Sequence, residues 1–115
     1  MSNNPLSDSN LAEFSSRRRF PRVEVNRPVT AILYWESSPT VLIPGRCHSL
    51  SEGGLGATMS QQLRVGEVVN LEVAHGVRVY AEVRNLSGFA HGFEFVLVRE
   101  NQRAALRRLC QPRFS

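Results

Sequence analysis

The stretch Val77-Arg78-Val79-Tyr80-Ala81-Glu82-Val83-Arg84 decides the fold class of this 115-residue chain. Its odd-numbered positions carry small or branched apolar side chains, and its even-numbered positions carry charged side chains or tyrosine. Because successive side chains of a β-strand point to opposite faces, this alternation predicts a strand with one buried face and one wet face. Such strands are typical of antiparallel sheets.

Similar β-rich runs occur on both sides of this strand, separated by glycine and proline. We predict six strands, at Val23 to Trp35, Val41 to Leu50, Leu55 to Ser60, Val68 to Ala74, Val77 to Leu86 and His91 to Val98. His75-Gly76 is short enough for a tight hairpin between the fourth and fifth strands. Short strands at this spacing predict an all-β sandwich or barrel.

The last part of the chain departs from the two-residue period. Ala105, Leu106 and Leu109 lie at helical spacing, and Pro112 follows as a stop. The pattern predicts a short C-terminal helix over residues 101–110 that closes one end of the barrel. Its late arginines suit the negative end of the helix dipole.

The first residues are poor in apolar side chains. Residues 1–10 are rich in Ser, Asn and Pro, which predicts a disordered leader. Leu11 to Phe14 form a candidate helical turn before the basic cluster that follows. We therefore assign residues 1–16 to a flexible leader and residues 17–115 to one folded domain, which is the size that one core supports.

The composition favours a cytoplasmic globular protein. All 14 basic residues are arginine, and the net charge is +4. Cys47 and Cys110 have no second Cys or His at metal-ligand spacing, so we expect free thiols and no metal site. We see no signal peptide and no apolar run long enough to span a membrane. The three histidines are scattered and form no catalytic set, so we do not expect an enzyme.

Four arginines crowd into six positions in the segment Arg17-Arg18-Arg19-Phe20-Pro21-Arg22. Such a density of positive charge repels itself unless an anion is present. Arginine also offers planar, bidentate donors to phosphate and to the guanine edge. Taken alone, the cluster favours a solvated basic linker or a weak nucleic-acid patch over a specific anion site.

A serine- and glycine-rich turn follows in the segment Ser49-Leu50-Ser51-Glu52-Gly53-Gly54-Leu55-Gly56. Its glycines permit close backbone approach, and its serines can donate or accept hydrogen bonds. Taken alone, such a segment is a common connection between strands. Its combination with the preceding arginine cluster is more informative than either segment alone.

In this order and at this spacing the two segments resemble the ligand-binding signature of the PilZ domain, Arg-x-x-x-Arg followed by Asp/Asn-x-Ser-x-x-Gly. Arg18 and Arg22 fit the first element, and Ser51 and Gly54 fit the second. Ser49 stands where the family has Asp or Asn. Further along, His91-Gly92-Phe93-Glu94-Phe95 is similar to the family's late strand.

The resemblance implies a six-stranded antiparallel split barrel with a short C-terminal helix, and it implies binding of cyclic di-GMP. Arg18 and Arg22 carry over as the principal guanine and phosphate contacts, with Arg17 as a helper. Ser49, Ser51 and Gly54 carry over as the turn that reads the other guanine edge. No further cofactor is implied, and the signal would pass to an unidentified protein partner.

The serine at position 49 leaves alternatives open. A hydroxyl is a shorter and weaker acceptor than a carboxylate, and losing a charge-assisted hydrogen bond costs about one to two decades of affinity. We therefore expect weakened binding of cyclic di-GMP. One alternative is a degenerate PilZ-like adaptor that does not bind it. Another is a barrel that binds RNA or DNA non-specifically, which would show a steep salt dependence.

Overall fold

The computed structural model describes residues 20–35 and 38–111, which contain six strands and one helix. The elements are β1 (Val23–Trp35), β2 (Ser38–Leu50), β3 (Gly54–Met59), β4 (Val68–Ala74), β5 (Val77–Ser87), β6 (Ala90–Val96) and α1 (Glu100–Leu109). All strand pairs are antiparallel, and the order β1-β2-β3-β6-β5-β4 closes where β4 pairs with β1. The predicted all-β barrel with a C-terminal helix is confirmed.

Several predictions fall on the first part of the chain. The leader at residues 1–16, the candidate turn at Leu11 to Phe14, and Arg17, Arg18 and Arg19 all lie outside the described residues.

The inward faces of the strands fill the barrel with aliphatic side chains. In β5 the odd-numbered residues Val79, Ala81 and Val83 are at most 1% exposed, while Arg78 and Tyr80 face solvent. Each valine buried in this way stabilises the fold by about 1.5–3 kcal/mol, and the smaller alanine contributes less. The apolar positions of the alternating segment Val77 to Arg84 are therefore the ones that β5 contributes to the core.

The strand boundaries differ slightly from those predicted. β2 begins earlier than expected because Ser38 pairs with Trp35 and extends the hairpin. β6 ends at Val96 because the next residue, Leu97, has a positive φ of 54° that takes the chain out of the extended conformation. The bounds of β4 agree with the prediction.

The helix α1 closes one end of the barrel. Leu106 is fully buried in the core, and Leu109 and Cys110 pack against it half-buried. The side chain of Gln102 accepts the N–H of Arg99 at 2.7 Å and donates to the carbonyl of Arg78 at 2.8 Å. These bonds cap the helix and attach it to β5, so the arginines farther along α1 are held at this end of the barrel.

Candidate ligand-binding site

The turn between β2 and β3 is built around the hydroxyl of Ser51. Its oxygen accepts the N–H of Gly53 at 3.0 Å and of Gly54 at 3.1 Å, and it donates to the carbonyl of Gly54 at 3.3 Å. The backbone N–H of Ser51 also donates to the carbonyl of Gly54 at 2.9 Å. Because Ser51 is only 5% exposed, its hydroxyl holds the turn from inside.

The glycine at position 54 is required by the approach of two strands. It is buried and lies opposite Glu94 of β6, and a Cβ added there would collide with the carbonyl oxygen of Phe93. The N–H of Phe95 donates to the carbonyl of Gly53 at 2.9 Å, which fixes the turn to β6. A residue with a side chain at position 54 would therefore force the turn away from β6.

The turn meets Phe20 of the arginine-rich segment, as we call residues 17–22, and two arginines of α1. The ring of Phe20 lies against Gly53, where a Cβ would come within 3.1 Å of it. The guanidinium carbon of Arg103 lies 5.0 Å from the Phe20 ring centroid, a cation–π distance. Arg103 also donates to the carbonyl of Glu52 at 3.5 Å, and Arg107 donates to its carboxylate at 3.3 Å. Three separate segments therefore converge at one end of the barrel.

Sequence reasoning missed the contribution of Arg103 and Arg107, because it related the helix arginines to the helix dipole alone. A detectable signal was present in their spacing. Residues four apart lie on the same face of a helix, so these two side chains had to point in a common direction. Their target, Glu52, could be found only once the helix was placed.

The side chain of Ser49 lies on the outer face of the barrel. Ser49 is directly opposite Glu24 of β1 on one side and Gly56 of β3 on the other. Its Oγ lies 3.0 Å from the position that a Cβ on Gly56 would take. The thiol of Cys47 donates to the carbonyl of Ser49 at 3.3 Å. Ser49 is half-buried, so its hydroxyl is partly accessible from outside.

Of the three arginines assigned to the ligand, Arg22 is the one that lies within the described residues. It is exposed, directly before β1, and it forms no ion pair with another described residue. Arg17 and Arg18 precede the described range, so their placement stays a prediction. The charge of Arg22 is therefore exposed to solvent directly before β1.

A cleft of about 810 Å³ lies between the start of β1 and the end of α1. Its lining consists of Val23, Glu24, Val25, Asn26, Arg27, Arg108, Leu109, Cys110 and Gln111. The volume is within the range of small-molecule sites. The buried Nη1 of Arg27 has no hydrogen-bond partner among the described residues. The cleft thus places open space and the charges of Arg27 and Arg108 beside the start of β1.

The two cysteines are free thiols near this end of the barrel. Burial raises the pKa of Cys47 to about 11, although the bond to Ser49 and the charge of Arg27 lower it in part. Burial, followed by the charge of Glu52, also raises the pKa of Cys110. Both side chains are therefore protonated at neutral pH and are poor nucleophiles.

Residues 20–35 and 38–111 contain no group of three His, Cys, Asp or Glu side chains that could hold a metal ion. Within the same ranges, no helix has the length and apolar character needed to cross a bilayer.

Solved structures with the same fold are found among PilZ domains. The PilZ domain of CeSA from a cellulose-synthesizing bacterium matches with a TM-score of 0.59 at 19% identity, covering 77% of this chain and 93% of that one. The PilZ domain of YcgR from Escherichia coli with c-di-GMP matches at 0.62 and 19%, covering 82% and 88%. YcgR from Escherichia coli in complex with c-di-GMP matches at 0.60 and 22%, covering 81% of this chain but 44% of that one.

The comparison by sequence gives the family. No curated protein sequence matches the chain. The family model described as the PilZ domain matches residues 16–111, which include the arginine cluster, the whole barrel and α1. The chain therefore belongs to the PilZ domain family.

Proposed function

We propose that this protein is a receptor for cyclic di-GMP that binds the dinucleotide at the end of the barrel where the arginine-rich segment, the Ser51–Gly54 turn and α1 meet. The observation that carries the proposal is this convergence: Phe20, adjacent to the arginine cluster, packs on Gly53 of the turn. Membership of the PilZ family, and the c-di-GMP complexes of YcgR, support the choice of ligand.

The chemistry of the site suits an anion with two guanines. Arg18 and Arg22 act as the principal contacts, pairing with phosphate oxygens and with guanine O6 and N7, and Arg17 assists. Ser49 offers a hydroxyl to the other guanine edge. Ser51 and Gly54 act through the shape of the turn, because the Ser51 hydroxyl is occupied inside it.

Binding also gives a mechanism for signalling. Fixing about five backbone residues of the arginine-rich segment costs roughly 5–10 kcal/mol, which the ionic and stacking contacts must exceed. The position of the segment then reports the ligand, and a protein partner reads the changed surface. We place this function in the cytoplasm, where free thiols such as Cys47 and Cys110 stay reduced.

The test is calorimetric titration of the full chain with cyclic di-GMP, with GMP and GTP as competitor nucleotides. Saturable binding that is selective for the cyclic dinucleotide, lost in Arg22→Ala and kept in Arg64→Ala, is the expected result. Arg64 is a matched control because it is also exposed but lies in the loop before β4. Equal binding by both variants would remove Arg22 from the site.

The second candidate is a PilZ-type adaptor that no longer binds the nucleotide. It is favoured by one specific feature, the serine at position 49 in place of Asp or Asn. If the titration gives no heat at high ligand concentration, the receptor function is wrong and this adaptor function takes its place.

A further inference from the structure

The outer face of the barrel carries a row of five residues that are direct neighbours across five strands. We call it the outer row: Glu24 of β1, Ser49 of β2, Gly56 of β3, Gly92 of β6 and Asn85 of β5. The adjacent residues Leu50, Leu55 and Phe93 are buried in the core, so their neighbours in the outer row face outward. The row therefore includes Ser49, the position at which the PilZ signature has Asp or Asn.

The middle of the outer row has no side chains of its own. Gly56 lies under the hydroxyl of Ser49, and a Cβ on Gly92 would collide with the amide of Asn85. The polar atoms available to a ligand are consequently at the two ends of the row. At the β1 end they are the Ser49 hydroxyl and the Glu24 carboxylate.

Glu24 has a carboxylate that the protein itself does not use. It is exposed, and within the described part of the chain it forms no ion pair. The other carboxylates near the turn are engaged, because Glu52 pairs with Arg107 and Glu94 pairs with Arg84. An unpaired carboxylate opposite Ser49 is thus available to an external donor.

Guanine presents two adjacent N–H donors on its Watson–Crick edge, at N1 and N2, and a carboxylate can accept both at once. Side chains directly opposite each other in an antiparallel pair have Cβ atoms about 4.5–5.5 Å apart. A glutamate on β1 can therefore place its oxygens beside those of a side chain at position 49. Glutamate is also one methylene longer than aspartate, which helps it to span this gap.

We propose that Glu24 is the guanine-reading carboxylate of this protein, supplied from β1 in place of the acidic or amide side chain missing at Ser49. This inference rests on the proposed function, since it concerns the same ligand. It changes one expectation from the sequence: the acceptor lost at Ser49 is replaced, so the serine need not weaken binding.

The sign of the mutational effect separates this inference from simple electrostatics. The ligand carries two negative charges, so a glutamate that only lies nearby repels it, and Glu24→Ala would then leave binding unchanged or tighten it. A glutamate that accepts from guanine has the opposite effect. We expect Glu24→Ala to weaken binding of cyclic di-GMP about 10- to 100-fold.

The experiment is calorimetric titration of the full chain and its variants with cyclic di-GMP and with cyclic di-inosine monophosphate, which lacks the 2-amino group. The loss caused by Glu24→Ala should be smaller with the inosine ligand, because one of the two donors is already absent. Ser49→Asp introduced into Glu24→Ala should restore binding of cyclic di-GMP. Glu82→Ala removes the same charge from the outer face of β5 and should not weaken binding.

Failure of the inference and failure of the function give different results. If wild type binds and Arg22→Ala does not, but Glu24→Ala binds as well as wild type or better, Glu24 is not a contact and the receptor function stands. If wild type does not bind cyclic di-GMP, both are wrong. Thermal unfolding of each variant confirms that the exposed substitution has left the barrel folded.

Discussion

The hydroxyl of Ser51, a residue that is 5% exposed, accepts two backbone N–H groups, a buried one from Gly54 and a partly buried one from Gly53. Removing it leaves both donors without their acceptor, and an unsatisfied buried donor costs about 1–3 kcal/mol. We expect Ser51→Ala to lower the free energy of unfolding by about this amount, measured by urea denaturation. Ser87→Ala, an exposed serine at the end of β5, should change it little. An unchanged midpoint for Ser51→Ala would contradict the structural role.

The raised pKa of Cys47 predicts that the free energy of unfolding depends on pH in the alkaline range. Its pKa is raised from the ordinary 9.0 to about 11 in the folded protein, mainly by burial. As pH rises from 9 to 11, the unfolded chain loses a proton that the folded protein keeps. The free energy of unfolding should therefore fall across this window, by about 2–3 kcal/mol.

The measurement for Cys47 is urea unfolding at several pH values from neutral to alkaline, for wild type and for Cys47→Ala. Tyrosine ionisation affects both proteins alike, so the difference between the two curves isolates the thiol. That difference should be constant below pH 9 and shrink above it. Parallel curves through the whole range would show that the folded thiol is not perturbed.

At the scale of elements, α1 contacts the turn between β2 and β3 as well as closing the barrel. Its buried residue Leu106 holds the helix on the core, and Arg103 and Arg107 reach from it to Glu52. Leu106→Ala should lower the free energy of unfolding by about 2–5 kcal/mol, the usual cost of a buried leucine. Leu42→Ala is the matched control, since Leu42 is 62% exposed on β2.

The same substitution tests whether α1 supports the turn. In Leu106→Ala, amide hydrogen exchange should speed up at Gly53 and Gly54, because the contacts made by Arg103 and Arg107 loosen with the helix. Exchange at Leu71, in the middle of β4, should follow the global stability alone. If the two turn amides change no more than that strand does, the helix does not hold the turn.

The elements were predictable because their signals are local. The alternation in Val77 to Arg84 fixes the buried face of β5, and the helical spacing of Ala105, Leu106 and Leu109 fixes α1. Cross-strand register is not local. β1 has an irregularity between Glu24 and Arg27, and without its location no count along the sequence sets Glu24 opposite Ser49.

The motif residues of the site also combine features that are local in the sequence with features that depend on the folded chain. The spacing of Ser51 and Gly54 can be read from the sequence, but the direction of the Ser51 hydroxyl depends on how tightly the turn folds. The need for glycine at position 54 depends on the approach of β6. Contacts between segments far apart in the chain, such as Arg107 with Glu52, depend on the closed barrel.

At the scale of the whole molecule, the proposed function gives the barrel and the arginine-rich segment separable roles. The closed sheet begins at Val23, and the core residues found within the described part of the chain all lie from there onward. A chain that starts at residue 20 keeps every strand, α1 and Phe20, but it lacks Arg17 and Arg18. We expect it to unfold at nearly the same temperature as the full chain when no ligand is present.

Cyclic di-GMP should distinguish the two chains. A ligand that binds the folded state stabilises it by RT ln(1 + [L]/Kd), which is about 2.7 kcal/mol at a hundredfold excess over Kd. For a domain of this size, that corresponds to a rise in the unfolding temperature of roughly 10 °C or more. The full chain should show this rise, whereas the chain starting at residue 20 should show little or none, because two of the three proposed arginine contacts are gone. An equal rise in both would place the binding energy in the barrel, the turn and Arg22, and would remove Arg17 and Arg18 from the site.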